Sequence, residues 1–117
     1  MKLVGNFCKI ISIDKNNDGL KATIELLSDH PIYKGHFPAQ PVVPGVYTLA
    51  LIRECASIVI GREMEYADIK ECKFITALLP FENLKITLDF SLVENAMLCG
   101  IVKRDNDTIL KLKATLK

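Results

Sequence analysis

Net charge is nearly absent from this chain: 15 lysines and arginines face 14 aspartates and glutamates, a formal +1 over 117 residues. No basic stripe with interleaved aromatics accompanies it, so nucleic-acid binding is not expected. Long apolar runs are missing too. Gly5, Asn6 and Lys9 interrupt the apolar start at Leu3-Val4, and neither a signal-peptide core nor a membrane span can be drawn. Cys8, Cys55, Cys72 and Cys99 are scattered without paired spacing, inside strand-like or helical stretches. That pattern favours small apolar behaviour over a disulfide framework or a zinc site, and a reduced, cytoplasmic setting is expected. Repeats, low-complexity tracts and linkers are also lacking, and the length fits a single domain over 1–117.

What is present is enough apolar material for a core: 50% of residues are hydrophobic and 25% charged. A mean hydropathy of +0.23 in so small a chain points to further burial in an oligomer. Phe7 to Ile13 and Leu20 to Leu26 alternate around the turn Asn16-Asn17-Asp18-Gly19, which predicts a hairpin. Ser28 to Gly45 is broken by prolines and glycines and is long for a structureless loop, a common sign of function.

Val46 to Ile60 is the one convincing helix, ended by Gly61. Val46, Ala50, Arg53, Glu54 and Ser57 share one stripe of it, and most of the remaining surface is apolar, so protein should surround it. Tyr66 to Thr76, Asn83 to Glu94, Ala96 to Arg104 and Thr108 to Leu116 read as strands. One helix and six strands predict an α+β architecture, a curled antiparallel sheet wrapped around the central helix.

The chemistry centres on Gly35-His36-Phe37-Pro38-Ala39-Gln40-Pro41-Val42-Val43-Pro44-Gly45. Prolines stiffen the loop, and Gly45 permits close backbone approach where the helix begins. First-turn N–H groups have no partners inside a helix and attract developing negative charge. A carbonyl held there would acidify its α-carbon, and His36 is placed to remove the proton. Alternatively, the imidazole simply bonds loop backbone.

This run, with His30-Pro31-Ile32-Tyr33-Lys34 before it and Val46 after it, resembles the signature of hot-dog-fold (3R)-3-hydroxyacyl-[acyl-carrier-protein] dehydratases, approximately G-H-F-P-x-x-P-x-x-P-G-V. Phe74 to Leu84 follows a second family segment, with Ala77 and Phe81 where a proline and a glycine are usual. The resemblance implies that His36 takes the C2 proton and that the Gly45 N–H binds the thioester carbonyl. It also implies an acyl chain on the phosphopantetheine of an acyl carrier protein, loss of water to a trans-2-enoyl product in fatty-acid or related acyl-chain synthesis, and no separate cofactor or metal. Dimers or larger homo-oligomers with shared sites are implied as well.

One position departs from the family. A Glu or Asp is usual fourteen residues after the histidine, where this chain has Ala50. Without that acid, elimination forgoes about 10²–10⁴-fold of assistance. Glu54, one turn further along the same stripe, is the stand-in candidate, displaced by roughly 5–6 Å. A partner subunit carrying the acid, in a heteromer with a paralogous chain, is a second solution. A non-catalytic acyl-thioester binding module and a hot-dog thioesterase are the other readings. Tyr33 and Phe37 fit loop packing or an acyl tunnel, and Pro44, Val46 and Ala50 are the substrate-binding candidates at the helix. His30 reads as a loop histidine, and Lys34, Lys70 and Lys73 read by default as solvated lysines, with an acidic carrier protein as the alternative partner.

Overall fold

The computed structural model describes residues 5, 8–16, 18–27, 43, 45–78, 84–94 and 96–117. In chain order the elements are β1 (Cys8–Asn16), β2 (Gly19–Leu26), α1 (Gly45–Ile60), β3 (Tyr66–Phe74), β4 (Leu84–Val93), β5 (Met97–Arg104) and β6 (Asp107–Leu116). All the expected elements form, with boundaries moved by at most three residues.

The six strands make one antiparallel sheet in the order β1-β2-β4-β5-β6-β3. Alternation fixes its inner face. Leu20, Ala22, Ile24 and Leu26 pair with Phe90, Leu88, Ile86 and Leu84, and all eight are buried. The intervening Lys21, Lys85 and Asp89 are exposed. The row Ala22–Leu88–Val102–Leu110 carries the apolar layer across four strands. A slip of one residue would turn the whole layer to water, so the register is strongly specified.

Helix α1 lies on this face, nearest to β1 and β2, and buries Leu51, Ile52, Cys55 and Ala56. Burying Leu51 and Ile52 contributes roughly 1.5–3 kcal/mol each. Gly61 ends the helix with φ +92° and donates its N–H to the Ser57 carbonyl at 2.9 Å. Only glycine takes that conformation without strain.

The turns use short polar side chains, as the composition suggests. Asn16 Oδ1 accepts the Asp18 N–H at 2.9 Å between β1 and β2, and Asp105 turns β5 into β6 with φ 54°.

The strand β3 is different from the rest. It is an edge strand, interrupted by two register shifts against β6, and seven of its nine residues are exposed. Its inner-face residue Ile69 is 41% exposed. No cysteine is in a disulfide; Cys8 and Cys55 are buried as small apolar residues should be, whereas Cys99 is exposed on β5.

Candidate active site at the start of helix α1

Two chain segments converge on the N-terminus of α1. Val43, two residues before the helix, donates its N–H to the Leu78 carbonyl at 2.7 Å, which ties the approach segment to the stretch after β3. At the end of β3, Phe74 pairs with Leu110, and the next residue, Ile75, donates to the Ile109 carbonyl at 2.8 Å. This firmly held backbone sends the Phe74 ring against Gly45. A Cβ at residue 45 would lie 2.6 Å from Phe74 Cζ and 2.7 Å from Cε1.

Gly45 does not have positive φ, so backbone conformation does not demand glycine there. Space demands it. The first residue of α1 therefore sets its backbone directly beside an aromatic ring, with no side chain of its own between them.

Among the sequence-predicted residues, His36, Tyr33, Phe37 and Pro44 lie outside the described residues, as do His30 and Lys34. Val46 is 63% exposed, next to Gly45. Ala50 is half-buried, five residues beyond Gly45, or about 7–8 Å along the axis. Glu54 is nine residues beyond, about 13–14 Å. Lys70 is ion-paired with Asp68 at 2.7 Å on exposed β3, an interaction worth little.

Glu54 belongs to a second group of polar side chains on the C-terminal half of α1. Both Arg53 and Glu54 are more than nine-tenths buried. Arg53 Nη1 donates to the Met64 carbonyl at 3.2 Å. Ser57 Oγ donates to the Arg53 carbonyl and accepts the Met64 N–H, both at 2.9 Å. These bonds clamp the segment after the helix back onto it.

An open cavity of about 500 Å³ adjoins them, lined by Arg53, Glu54, Ser57, Ile58, Arg62 and Glu63 with Gly61. Behind the helix, burial pushes the Cys8 and Cys55 thiols up to about 12, with the Glu54 charge adding to both and the Cys8 thiol to Cys55. Burial also raises the Tyr66 phenol, against the opposing pull of Arg53; its hydroxyl donates to the Leu49 carbonyl at 2.7 Å.

Phe74 is the residue that sequence reasoning passed over as part of the site. It opens the second motif segment, but its contact with Gly45, 29 positions earlier, depends on how β3 meets the helix.

Residues 12–110 match the family described as ApeI-like, ApeI dehydratase. The chain belongs to this family. Among curated relatives, the 3-hydroxyacyl-[acyl-carrier-protein] dehydratase FabZ of Chlamydia pneumoniae is 29% identical over 96 residues, covering 74% of this chain and 63% of the relative. The chain thus spans about three-fifths of the length of such relatives.

Among solved structures, the dehydratase heterocomplex ApeI:P from Xenorhabdus doucetiae superposes with a TM-score of 0.72 at 24% identity, over 92% of this chain and 95% of that one. An uncharacterised protein from Erwinia carotovora gives a TM-score of 0.66 at 20% identity, over 92% and 91%. The fold of this ApeI-like chain is therefore the hot-dog fold, with, among the described residues, a curled six-stranded antiparallel sheet and one helix on its inner face.

Among the described residues, no helix is long and apolar enough to cross a membrane, and no three His, Cys, Asp or Glu side chains gather to hold a metal ion.

Proposed function

We propose that this chain acts in the elimination of water from a (3R)-3-hydroxyacyl thioester carried on the phosphopantetheine of an acyl carrier protein. The observation that carries the proposal is the side-chain-free backbone of Gly45 at the first position of α1, packed against the Phe74 ring, in a chain that belongs to a dehydratase family. The Gly45 N–H binds the thioester carbonyl as negative charge develops on it. His36 removes the C2 proton, and the C3 oxygen leaves as water once protonated.

The source of that last proton is the open position. The C3 oxygen is only a few bonds from the carbonyl oxygen. A carboxylate at residue 50 would sit about 7–8 Å along the helix, and its side chain would lean back toward the N-terminus and into reach. From residue 54 of the same helix, at about 13–14 Å, the same lean and a hydrogen bond of about 3 Å do not close the distance, and in a second copy the Glu54 side chain is just as deeply buried in its own protomer. The proposal therefore assigns the acid to a second chain in preference to Glu54: this protomer supplies His36 and Gly45, and an acid-bearing paralogue completes a shared site. A heterocomplex among the structural relatives is consistent with such an assembly.

The test follows the conjugated enoyl thioester by its absorbance. The chain alone is expected to be slow, and a mixture with an acid-bearing paralogue fast. His36→Ala in this chain should reduce the mixture's activity by at least about 10²-fold. Full activity from the chain alone would remove the partner requirement. Unchanged turnover with His36→Ala would remove the assignment altogether. Tight thioester binding without turnover, even in the mixture, would leave a binding module in its place.

A further inference from the structure

We propose that Phe74 is a positioning residue that walls the amide end of α1 and holds the thioester head against Gly45. The proposal rests on the functional reading above.

Phe74 is 58% exposed, so its ring does not serve the core. Its exposure is nevertheless not that of a dangling side chain. The backbone at its root is held by β6 through the Phe74–Leu110 pair and the Ile75-to-Ile109 hydrogen bond. At the far end, Cζ, Cε1 and Cε2 sit within 2.6–3.4 Å of where a Gly45 Cβ would be. The ring thus spans from the last residue of β3 to the first residue of the helix, fixed at both ends, with much of its surface open to solvent. Val46 and Ile75, the chain neighbours of Gly45 and Phe74, are likewise exposed, at 63% and 50%.

A ring so placed screens one side of the first-turn amides from water and offers apolar contact to whatever those amides bind. A thioester is a matching guest: its carbonyl takes the N–H groups, while its sulfur and C2 methylene are apolar and fit against an aromatic wall. Small displacements at a reacting centre are costly, so the wall acts on alignment as well as on affinity. The contact is made at the head of the acyl group. Its effect should therefore not depend on how long the tail is, unlike that of a residue lining a tunnel for the chain.

The experiment compares wild type, Phe74→Ala and Phe74→Leu, each shown to be folded by circular dichroism. The probes are crotonyl-pantetheine and 2-octenoyl-pantetheine, with binding measured by calorimetry and turnover in whichever mixture is active. The expected result is about tenfold weaker binding of both thioesters to Phe74→Ala, by the same factor for each, with partial recovery in Phe74→Leu.

A further readout uses the contact itself. Gly45→Ala should be less harmful in the Phe74→Ala background than in wild type, because the ring it strikes is gone.

Equal affinity in wild type and Phe74→Ala would overturn the proposal, as would a loss that grows with chain length. Additive effects of the two substitutions would do the same. If wild type binds neither thioester, it is the functional reading that falls. If wild type binds both and Phe74→Ala matches it, only the role of Phe74 falls.

Discussion

The two halves of helix α1 are built for different tasks. Its first half lacks a side chain at Gly45, exposes Val46, carries the hydroxyls of Tyr47 and Thr48 and has only alanine at residue 50. Its second half buries an arginine and a glutamate and spends the Ser57 hydroxyl on two hydrogen bonds that clamp the following segment. Charged groups are thus confined to the half where they clamp structure and absent from the half where the family chemistry would use a carboxylate. The contrast teaches that a carboxylate on the expected stripe does not make a catalytic acid. What counts is its distance from the amides that hold the carbonyl.

The largest effect is expected from moving the carboxylate. Ala50→Glu should raise turnover of a short 3-hydroxyacyl thioester by this chain alone by about 10²-fold, and adding Glu54→Gln should leave that gain within about threefold. Assays of initial rate by enoyl absorbance decide it. If Glu54→Gln by itself abolishes wild-type turnover, the two halves are not divided as described.

A smaller effect is expected from the clamp. Ser57→Ala leaves the Met64 N–H without its acceptor and should cost about 1–3 kcal/mol in denaturant unfolding. Its melting temperature should fall, with thioester binding at the first turn preserved once folded. Loss of binding in folded protein would show that the halves are coupled.

At neutral pH no effect is expected from the last contrast, which lies in the alkaline range. Cys8 and Cys55 rise from 9.0 to about 12 in the folded chain, so the fold favours their protonated forms. Above pH 9 the unfolded chain loses these protons while the folded chain keeps them. Stability from each thiol is therefore complete below about pH 9 and is lost as pH rises toward 12, by about 1.4 kcal/mol per pH unit. Cys55→Ala should flatten the slope of unfolding free energy against pH by that amount. An unchanged slope would place the Cys55 thiol in contact with water.

Much of the fold was legible because it is written locally. Strict alternation in Leu20 to Leu26 and Leu84 to Leu92 specifies both strand and face, and Gly61 marks the helix end through its backbone freedom. At the site, Gly45 and Ala50 were identifiable from motif spacing, and the missing acid with them. Phe74 was not, because its meaning comes from a contact between residues 29 apart in sequence. The burial of Arg53 was equally hidden: a polar stripe looks the same whether it faces water or a returning chain.

The order of residues was enough for the elements, for the inward face of the strictly alternating strands and for a helix that starts on a glycine. These follow from short-range periodicity and backbone sterics. The packed structure was needed to show that Phe74 stands beside that glycine and that Arg53 and Glu54 are buried. Those are properties of packing, where elements distant in sequence compete for the same space.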